Sequence, residues 1–166
     1  PLDAAVVTVG EFQAGTALNV IADTAKLSGT IRYFNPELES LMRERLEAII
    51  AGVCQMHGAE YELAHWQLYP PTVNDQAIAE LVRSVAMEVV ETPVGVVPEC
   101  QTMGGEDMSF FLNEVPGCYF FLGSANPEKK LAYPHHHPRF DLDEAALAIG
   151  MESMVNVALR YLNEHQ

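Results

Sequence analysis

Tyr133-Pro134-His135-His136-His137-Pro138-Arg139-Phe140-Asp141-Leu142-Asp143-Glu144 places three of the chain's six histidines in a proline-bounded loop directly ahead of a long apolar-striped segment. Neutral imidazole is the commonest protein ligand for zinc-like metals, so the loop is a candidate source of a metal ligand. On an extended segment successive side chains point to opposite sides. His136 then faces away from His135 and His137, and one ligand is the expected yield. The competing reading is a surface loop with solvated imidazoles. A metal site needs three or four donors, and the chain contains no H-E-x-x-H, C-x-x-C or second histidine pair, so partners for the loop must come from elsewhere.

Behind the loop, Asp141 followed three residues later by Glu144 has the form of a capping box with Asp in place of Ser or Thr. The helix it opens carries Leu147, Met151, Met154, Val155, Ala158 and Leu162 at helical spacing, read as an inward face with the methionines as core filler. Ahead of the loop, Asn126 to Lys130 is polar. Gly117 to Gly123 (GCYFFLG) is wholly apolar and is expected to be a strand buried on both faces. Met103-Gly104-Gly105-Glu106-Asp107-Met108-Ser109-Phe110-Phe111 is a glycine pair opening a short helix with acids in its first turn. The pair serves either a tight turn or the close approach of a ligand to the backbone amides. A connector over Thr92 to Pro98 and a helix over Asn74 to Val90, with Ile78, Leu81, Val82, Val85 and Val89 inward, precede it.

Tyr69-Pro70-Pro71-Thr72 is the clearest boundary, since two prolines halt a strand and permit no helix immediately behind them. Before it, Ala4 to Gly10 reads as a β-branched strand. Thr24 to Tyr33 alternates Ala25, Leu27, Gly29, Ile31 and Tyr33 with Lys26, Ser28, Thr30 and Arg32, a strand with one buried and one polar face. Asn35-Pro36-Glu37 is a helix start, followed by a stripe of Leu38, Leu41, Met42, Leu46, Ile49, Ile50 and Val53 that Gly58 ends. Glu60 to Leu68 is expected to return as a strand. The order β, β, α, β suits a small sheet covered on one face by an amphipathic helix.

Nine basic against 23 acidic residues give a formal charge of −14, which excludes a nucleic-acid or anionic-membrane surface and favours solubility. Such a surface repels acidic ligands unless a placed cation captures them. No run of about 18 apolar residues is present to span a membrane. Cys54, Cys100 and Cys118 are odd in number and widely spaced, which fits a reducing, cytoplasmic location and small buried thiols better than a disulfide framework. The 166 residues open on Pro1 rather than an initiator Met, so the natural N-terminus is expected to lie elsewhere.

Three separated stretches resemble one family. Gly15-Thr-Ala-Leu-Asn-Val-Ile-Ala-Asp23 with Leu27-Ser-Gly-Thr-Ile-Arg32, then Met103-Gly-Gly-Glu-Asp-Met-Ser-Phe110, then His136-His-Pro-Arg-Phe-Asp-Leu-Asp-Glu144, are together similar to the second half of an M20-type metallopeptidase. Within it they most resemble the amidohydrolase branch that hydrolyses N-acyl amino acids such as hippurate and auxin conjugates. The likeness runs in order from about Ala4 to the C-terminus.

The resemblance implies an α/β protein in which a smaller α+β lid domain, usually the dimerisation element, is inserted into an α/β zinc-peptidase-like catalytic domain. Residues 1–69 would be the later part of the lid, and residues 70–166 the C-terminal part of the catalytic domain. Two divalent metals per intact site, zinc, manganese or cobalt, would activate water against the amide of a small N-acyl amino acid. His136 falls on the family's last metal ligand, the first His of an H-x-P-x-F-x-x-D/E pattern. Asn19 and Arg32 fall on lid positions that hold the substrate carboxylate. Gly104 and Gly105 occupy the stretch whose backbone approaches the substrate, and Glu106 is expected to line the site. The family's other metal ligands, its general base and its oxyanion-stabilising histidine are not found here. The chain is therefore expected to be a C-terminal fragment, inactive by itself. The rival expectation is a non-catalytic β/α dimerisation or interaction module.

Overall fold

The computed structural model describes residues 3–90, 95–97 and 99–164, so part of the connector expected over Thr92 to Pro98 lies outside the described residues. Ala5–Ala14 (β1) and Ala25–Tyr33 (β2) form a two-stranded antiparallel sheet, followed by Leu38–His57 (α1), Gln76–Val89 (α2), Met108–Glu114 (α3) and Ala145–Glu164 (α4). The mixture of helix and strand is the α/β composition expected from the sequence. Two compact units divide the chain: residues 1–71 with 102–107, and residues 72–101 with 108–166.

In the first unit, the pairing of Val7 with Ile31 and Val9 with Gly29 gives way to Glu11 with Ser28 and Phe12 with Leu27, so the ladder contains a bulge between Val9 and Glu11. The extra residue, Gly10, shifts the side-chain parity of β1 by one. Because facing residues share a side of the sheet, Val7, Val9 and Phe12 all fall with Leu27 and Ile31, while Thr8 and Gln13 fall with Thr30 and Lys26. Without the bulge Phe12 would join the polar side. At Gly29 an added Cβ would run into the Thr8 carbonyl oxygen.

Helix α1 packs against β2, where Ile31 and Tyr33 are half-buried. The Asn35 side-chain oxygen accepts the Glu37 N–H at 3.0 Å, forming the turn that leads into the helix. At the other end Gly58 takes the left-handed conformation, φ 64°, and Ala59 N–H closes on the Cys54 carbonyl at 2.9 Å. The end at Gly58 falls where the sequence puts it, whereas the helix begins at Leu38 behind Glu37, two residues later than a start with Asn35 as cap and Pro36 in the first turn. Ile49, Val53 and Met56 nevertheless remain exposed.

In the second unit, Asp75 caps α2 by accepting the Ile78 N–H at 2.9 Å, and Val82 and Val85 point inward as the periodicity predicts. The partner is α4, but not through its expected face. Ala146 and Ser153 are the buried residues of α4, and Gly150 receives Leu122, whose Cδ2 would stand 2.7 Å from a Cβ at that position. The larger stripe of Leu147, Met151, Met154, Val155 and Leu162 is exposed. Small residues at the crossing let two helix backbones approach closely, so burial follows contact distance rather than side-chain size. Arg160 of α4 pairs with Glu88 of α2 at 2.6 Å and donates to the Ser84 hydroxyl at 3.3 Å.

Two expected strands are absent from the ladders of the described residues. Glu60 to Leu68 and Gly117 to Gly123 have the composition of strands but no neighbouring strand to pair with. Side chains alone do not satisfy backbone N–H and C=O groups. At one point a side chain substitutes: the Asn74 amide accepts the Tyr119 N–H at 2.7 Å and donates to the Tyr119 carbonyl at 2.9 Å, while Asp75 N–H donates to the Gly117 carbonyl. The run is also more open than expected, with Phe121 55% exposed. The accessible surface of the chain, 13572 Å², exceeds the roughly 9800 Å² of two separate folded units of half its mass.

The bulge separates two glycines that look alike in sequence. Gly29→Ala is expected to destabilise the full-length protein by about 1–3 kcal/mol through overpacking against the Thr8 carbonyl. Gly10→Ala, with no atom within 4 Å of the added Cβ, is expected to be neutral or slightly stabilising. Equal denaturant midpoints for the two variants would refute this assignment of the bulge.

Candidate functional site

The histidine loop is braced from both ends. Upstream, the Asn126 side-chain oxygen accepts the N–H groups of Glu128 and Lys129, and Asn126 and Leu131 exchange backbone hydrogen bonds at 2.7 and 2.8 Å. Lys130 closes this turn with φ 62°. Downstream stands Asp143 at the start of α4. Its carboxylate accepts from Lys129 Nζ at 2.8 Å, Asn126 Nδ2 at 2.6 Å and Ala145 N–H at 3.2 Å, and its own N–H donates to the Ser124 carbonyl at 2.9 Å. Asp143 therefore holds the helix start. The expected capping box of Asp141 and Glu144 does not form: Asp141 bonds the adjacent Leu142 N–H instead. These donors, the Lys129 ammonium first, lower the Asp143 carboxyl to a pKa of about 2.

Between those braces the loop turns on itself. The His137 ring stacks on Tyr133 with centroids 4.5 Å apart and planes at 11°. The Arg139 guanidinium lies over the same tyrosine ring at 5.1 Å and donates to its hydroxyl at 3.0 Å. His137 Nδ1 accepts the Arg139 N–H at 3.0 Å, which makes this nitrogen the unprotonated one. His135 meets Phe140 edge to face at 4.8 Å. Stacked aromatic pairs contribute about 0.5–1.5 kcal/mol each and an exposed cation–π contact about 0.5–1 kcal/mol, so the loop holds its own shape.

His136 stands apart from this cluster. It is exposed, its φ is 65°, and its imidazole makes no hydrogen bond or ring contact among the described residues. Two of three neighbouring imidazoles are engaged and one is left over. Residues 135 and 136 lie in a turn and not on the extended segment expected from the sequence. The left-handed backbone of His136, not strand alternation, sets it apart. A non-glycine residue holds that conformation only when its surroundings impose it.

The remaining candidate residues belong to the first unit. Arg32 is an exposed residue of β2 paired with Val6, and its Nη1 donates to the Met103 carbonyl at 2.5 Å. That bond brings Arg32 to the Gly104-Gly105 segment. Gly104 N–H is taken by the Thr102 hydroxyl at 3.0 Å. Gly105 N–H has no partner among the described residues, and a Cβ on Gly105 would stand 3.1 Å from the Tyr69 ring. Glu106 is half-buried and precedes α3, so the acids expected in the first turn of that helix lie ahead of it. Asn19 sits in the turn after β1, exposed, with no side-chain hydrogen bond among the described residues. Of the loop's braces, Asp143 is the closing acid of the H-x-P-x-F-x-x-D/E pattern that begins at His136, while Tyr133 and Asn126 have no place in it. For Asn126, the turn residue Pro127 directly behind it is a local signal.

His136 offers one unclaimed donor of the right chemistry for a divalent metal, and no group of three His, Cys, Asp or Glu side chains able to hold an ion exists among the described residues. The donor fits one coordination position, not a whole site.

Comparison with known proteins identifies the family. The chain belongs to the peptidase family M20/M25/M40, which matches residues 3–160. Its backbone superposes on that of the Bacillus subtilis YXEP protein, a dinuclear metal binding peptidase from the M20 family, with a TM-score of 0.78 and 29% identity over 96% of this chain and 42% of that one. It is 37% identical to YhaA of Bacillus subtilis over 97% of this chain and 40% of the relative. It is 34% identical to the N-acetyldiaminopimelate deacetylase of Priestia megaterium over 91% of this chain and 38% of the relative. The chain thus spans about 40% of the length of the curated relatives it matches.

The Asp143 hub carries a pH signature. A carboxyl lowered in the folded state stabilises above its unfolded pKa and loses that contribution as the pH falls through the folded value, here from 3.8 to about 2. Wild type is expected to melt above Asp143→Asn at pH 5 and higher, with the gap narrowing between pH 4 and pH 2. A gap independent of pH would show that the carboxylate charge is not what holds the loop.

Proposed function

We propose that the full-length protein is a two-metal amidohydrolase that cleaves the amide of an N-acyl amino acid or a similar small conjugate. The observation that carries the reading is His136: one imidazole left unclaimed, in an imposed left-handed turn, within a family that includes a dinuclear metal binding peptidase. A similar deacetylase whose name specifies an N-acetylated amino acid supports the substrate class. A divalent metal pair, zinc, manganese or cobalt, supplies Lewis acidity toward a carbonyl and a water of lowered pKa.

This chain's own residues take four duties. His136 occupies one metal position through its free imidazole. Arg32 holds the substrate carboxylate: a guanidinium has five N–H donors, and one Met103 carbonyl leaves enough for a bidentate grip. Asn19 supplies a further polar contact to the same end of the substrate. Gly104 and Gly105 keep the backbone bare beside Tyr69 so that the substrate approaches closely, with Glu106 lining that wall. The remaining ligands and the general base come from the family's other parts, and residues 1–69 and 70–166 are read as the later lid and the last part of the catalytic domain. The free cysteines accord with a cytoplasmic setting.

A homodimer through the lid portion is part of the same reading. Val6, Val7, Val9 and Phe12 of β1 and Ile49, Val53 and Met56 of α1 are exposed, and an unpaired strand edge with apolar neighbours favours association. The same observation favours the rival reading, a pairing module without chemistry. The two part company at the histidine.

In the full-length protein His136→Ala is expected to lower metal content and to reduce turnover of an N-acetyl amino acid by at least about 100-fold. Metal analysis after dialysis and an amide-hydrolysis assay check it, and undiminished turnover would leave the pairing module as the better account. Arg32→Ala is expected to raise KM by about 10- to 100-fold for carboxylate-bearing substrates, the loss of a hydrogen-bonded charge pair, with a smaller change in kcat. Equal losses on a substrate whose carboxylate is amidated would remove Arg32 from that role.

A further inference from the structure

We propose that Tyr133 and Arg139 are positioning residues for His136, acting through His137 to impose the left-handed turn that presents its imidazole. The proposal rests on the reading of His136 as a metal ligand and adds the residues that aim it.

Both neighbours of His136 are pinned. On the C-terminal side, His137 donates its N–H to the Pro134 carbonyl at 3.2 Å, lays its ring on Tyr133 and accepts the Arg139 N–H on Nδ1. Its carbonyl accepts the Phe140 N–H at 2.9 Å. On the N-terminal side, His135 rests its ring against Phe140 and Pro134 fixes its own φ. Arg139 closes the circuit, reaching back over the Tyr133 ring at 5.1 Å and bonding the Tyr133 hydroxyl at 3.0 Å. Tyr133 is thus the element shared by the His137 stack and the Arg139 clamp.

Tyr133 and Arg139 act as outer partners that orient a ligand, through the backbone. A ligating histidine is usually oriented by a hydrogen bond to its second ring nitrogen. His136 has no such bond among the described residues, so its direction depends on φ 65°. Remove the stack, and the turn relaxes toward the right-handed or extended backbone that an ordinary residue prefers. The imidazole then swings out of register with donors that do not move.

The test uses full-length protein and Co²⁺ as the probe metal, read by competition with a chelator and by the d–d absorption spectrum of bound cobalt. Tyr133→Ala and Arg139→Ala are expected to weaken metal binding about 10- to 100-fold, as loss of outer partners does, and to alter the cobalt spectrum. Tyr133→Phe, which keeps the ring under both His137 and Arg139, is expected to retain most of the affinity. Wild-type affinity and spectrum in both Tyr133→Ala and Arg139→Ala would overturn the proposal while leaving the ligand reading intact. If His136→Ala itself leaves cobalt binding and spectrum unchanged, the ligand reading fails and the proposal with it. Should Tyr133→Ala fail to fold, Arg139→Ala decides by the same two measurements.

Discussion

One carboxylate, that of Asp143, fastens two pieces of local structure, the turn before the histidine loop and the start of α4. It receives the ammonium of Lys129 and the amide of Asn126 from the turn before the histidine loop, and it takes the Ala145 N–H that the first turn of α4 leaves without a helical partner. The Asp143 N–H adds a bond to the Ser124 carbonyl. The segments on either side of the loop from Tyr133 to Phe140 are thereby tied to one point. Such closure lowers the entropy cost of every stack inside it. The dependence is hierarchical: the hub sets the ends, the Tyr133 stack sets the interior, and the interior sets the backbone of His136.

The second unit shows how packing distance selects among surfaces that composition treats as equal. Helix α4 has a small face of Ala146, Gly150 and Ser153 and a large apolar face of Leu147, Met151, Met154, Val155 and Leu162. Against α2 the small face wins, because Val82, Val85 and the inserted Leu122 need room that larger residues would take. The large face is left exposed, and so is much of β1.

The first unit solves a different problem, that of keeping apolar side chains on one side of a strand whose sequence breaks period. The Gly10 bulge converts an odd-numbered run, Val7 and Val9, into an even-numbered one, Phe12, on the same side of the sheet. Arg32 lies on the opposite, polar side, from which its guanidinium reaches Met103. An uninterrupted ladder would exchange the sides of Phe12 and Glu11. The bulge thus keeps the polar side that carries Arg32 free of a phenylalanine.

Much of this was legible in the chain itself. The start of α1 near Asn35 and its end at Gly58, the inward face of α2, the alternation of β2 and the three motifs that mark the family follow from residues within a few positions of one another. Local signals suffice there because helix caps, turn conformations and side-chain periodicity involve atoms at most a turn or two apart. What tertiary structure alone decided is of another kind. It left Glu60 to Leu68 and Gly117 to Gly123 without ladders, turned α4 onto its small face, gave the cap of α4 to Asp143 rather than Asp141, and set His136 in a left-handed turn where alternation had suggested an extended one. Each of those outcomes depends on a partner group distant in sequence or on a ring stacked across the loop. A strand without a neighbour, or a helix face without an opposing surface, has no identity that its own residues can confer.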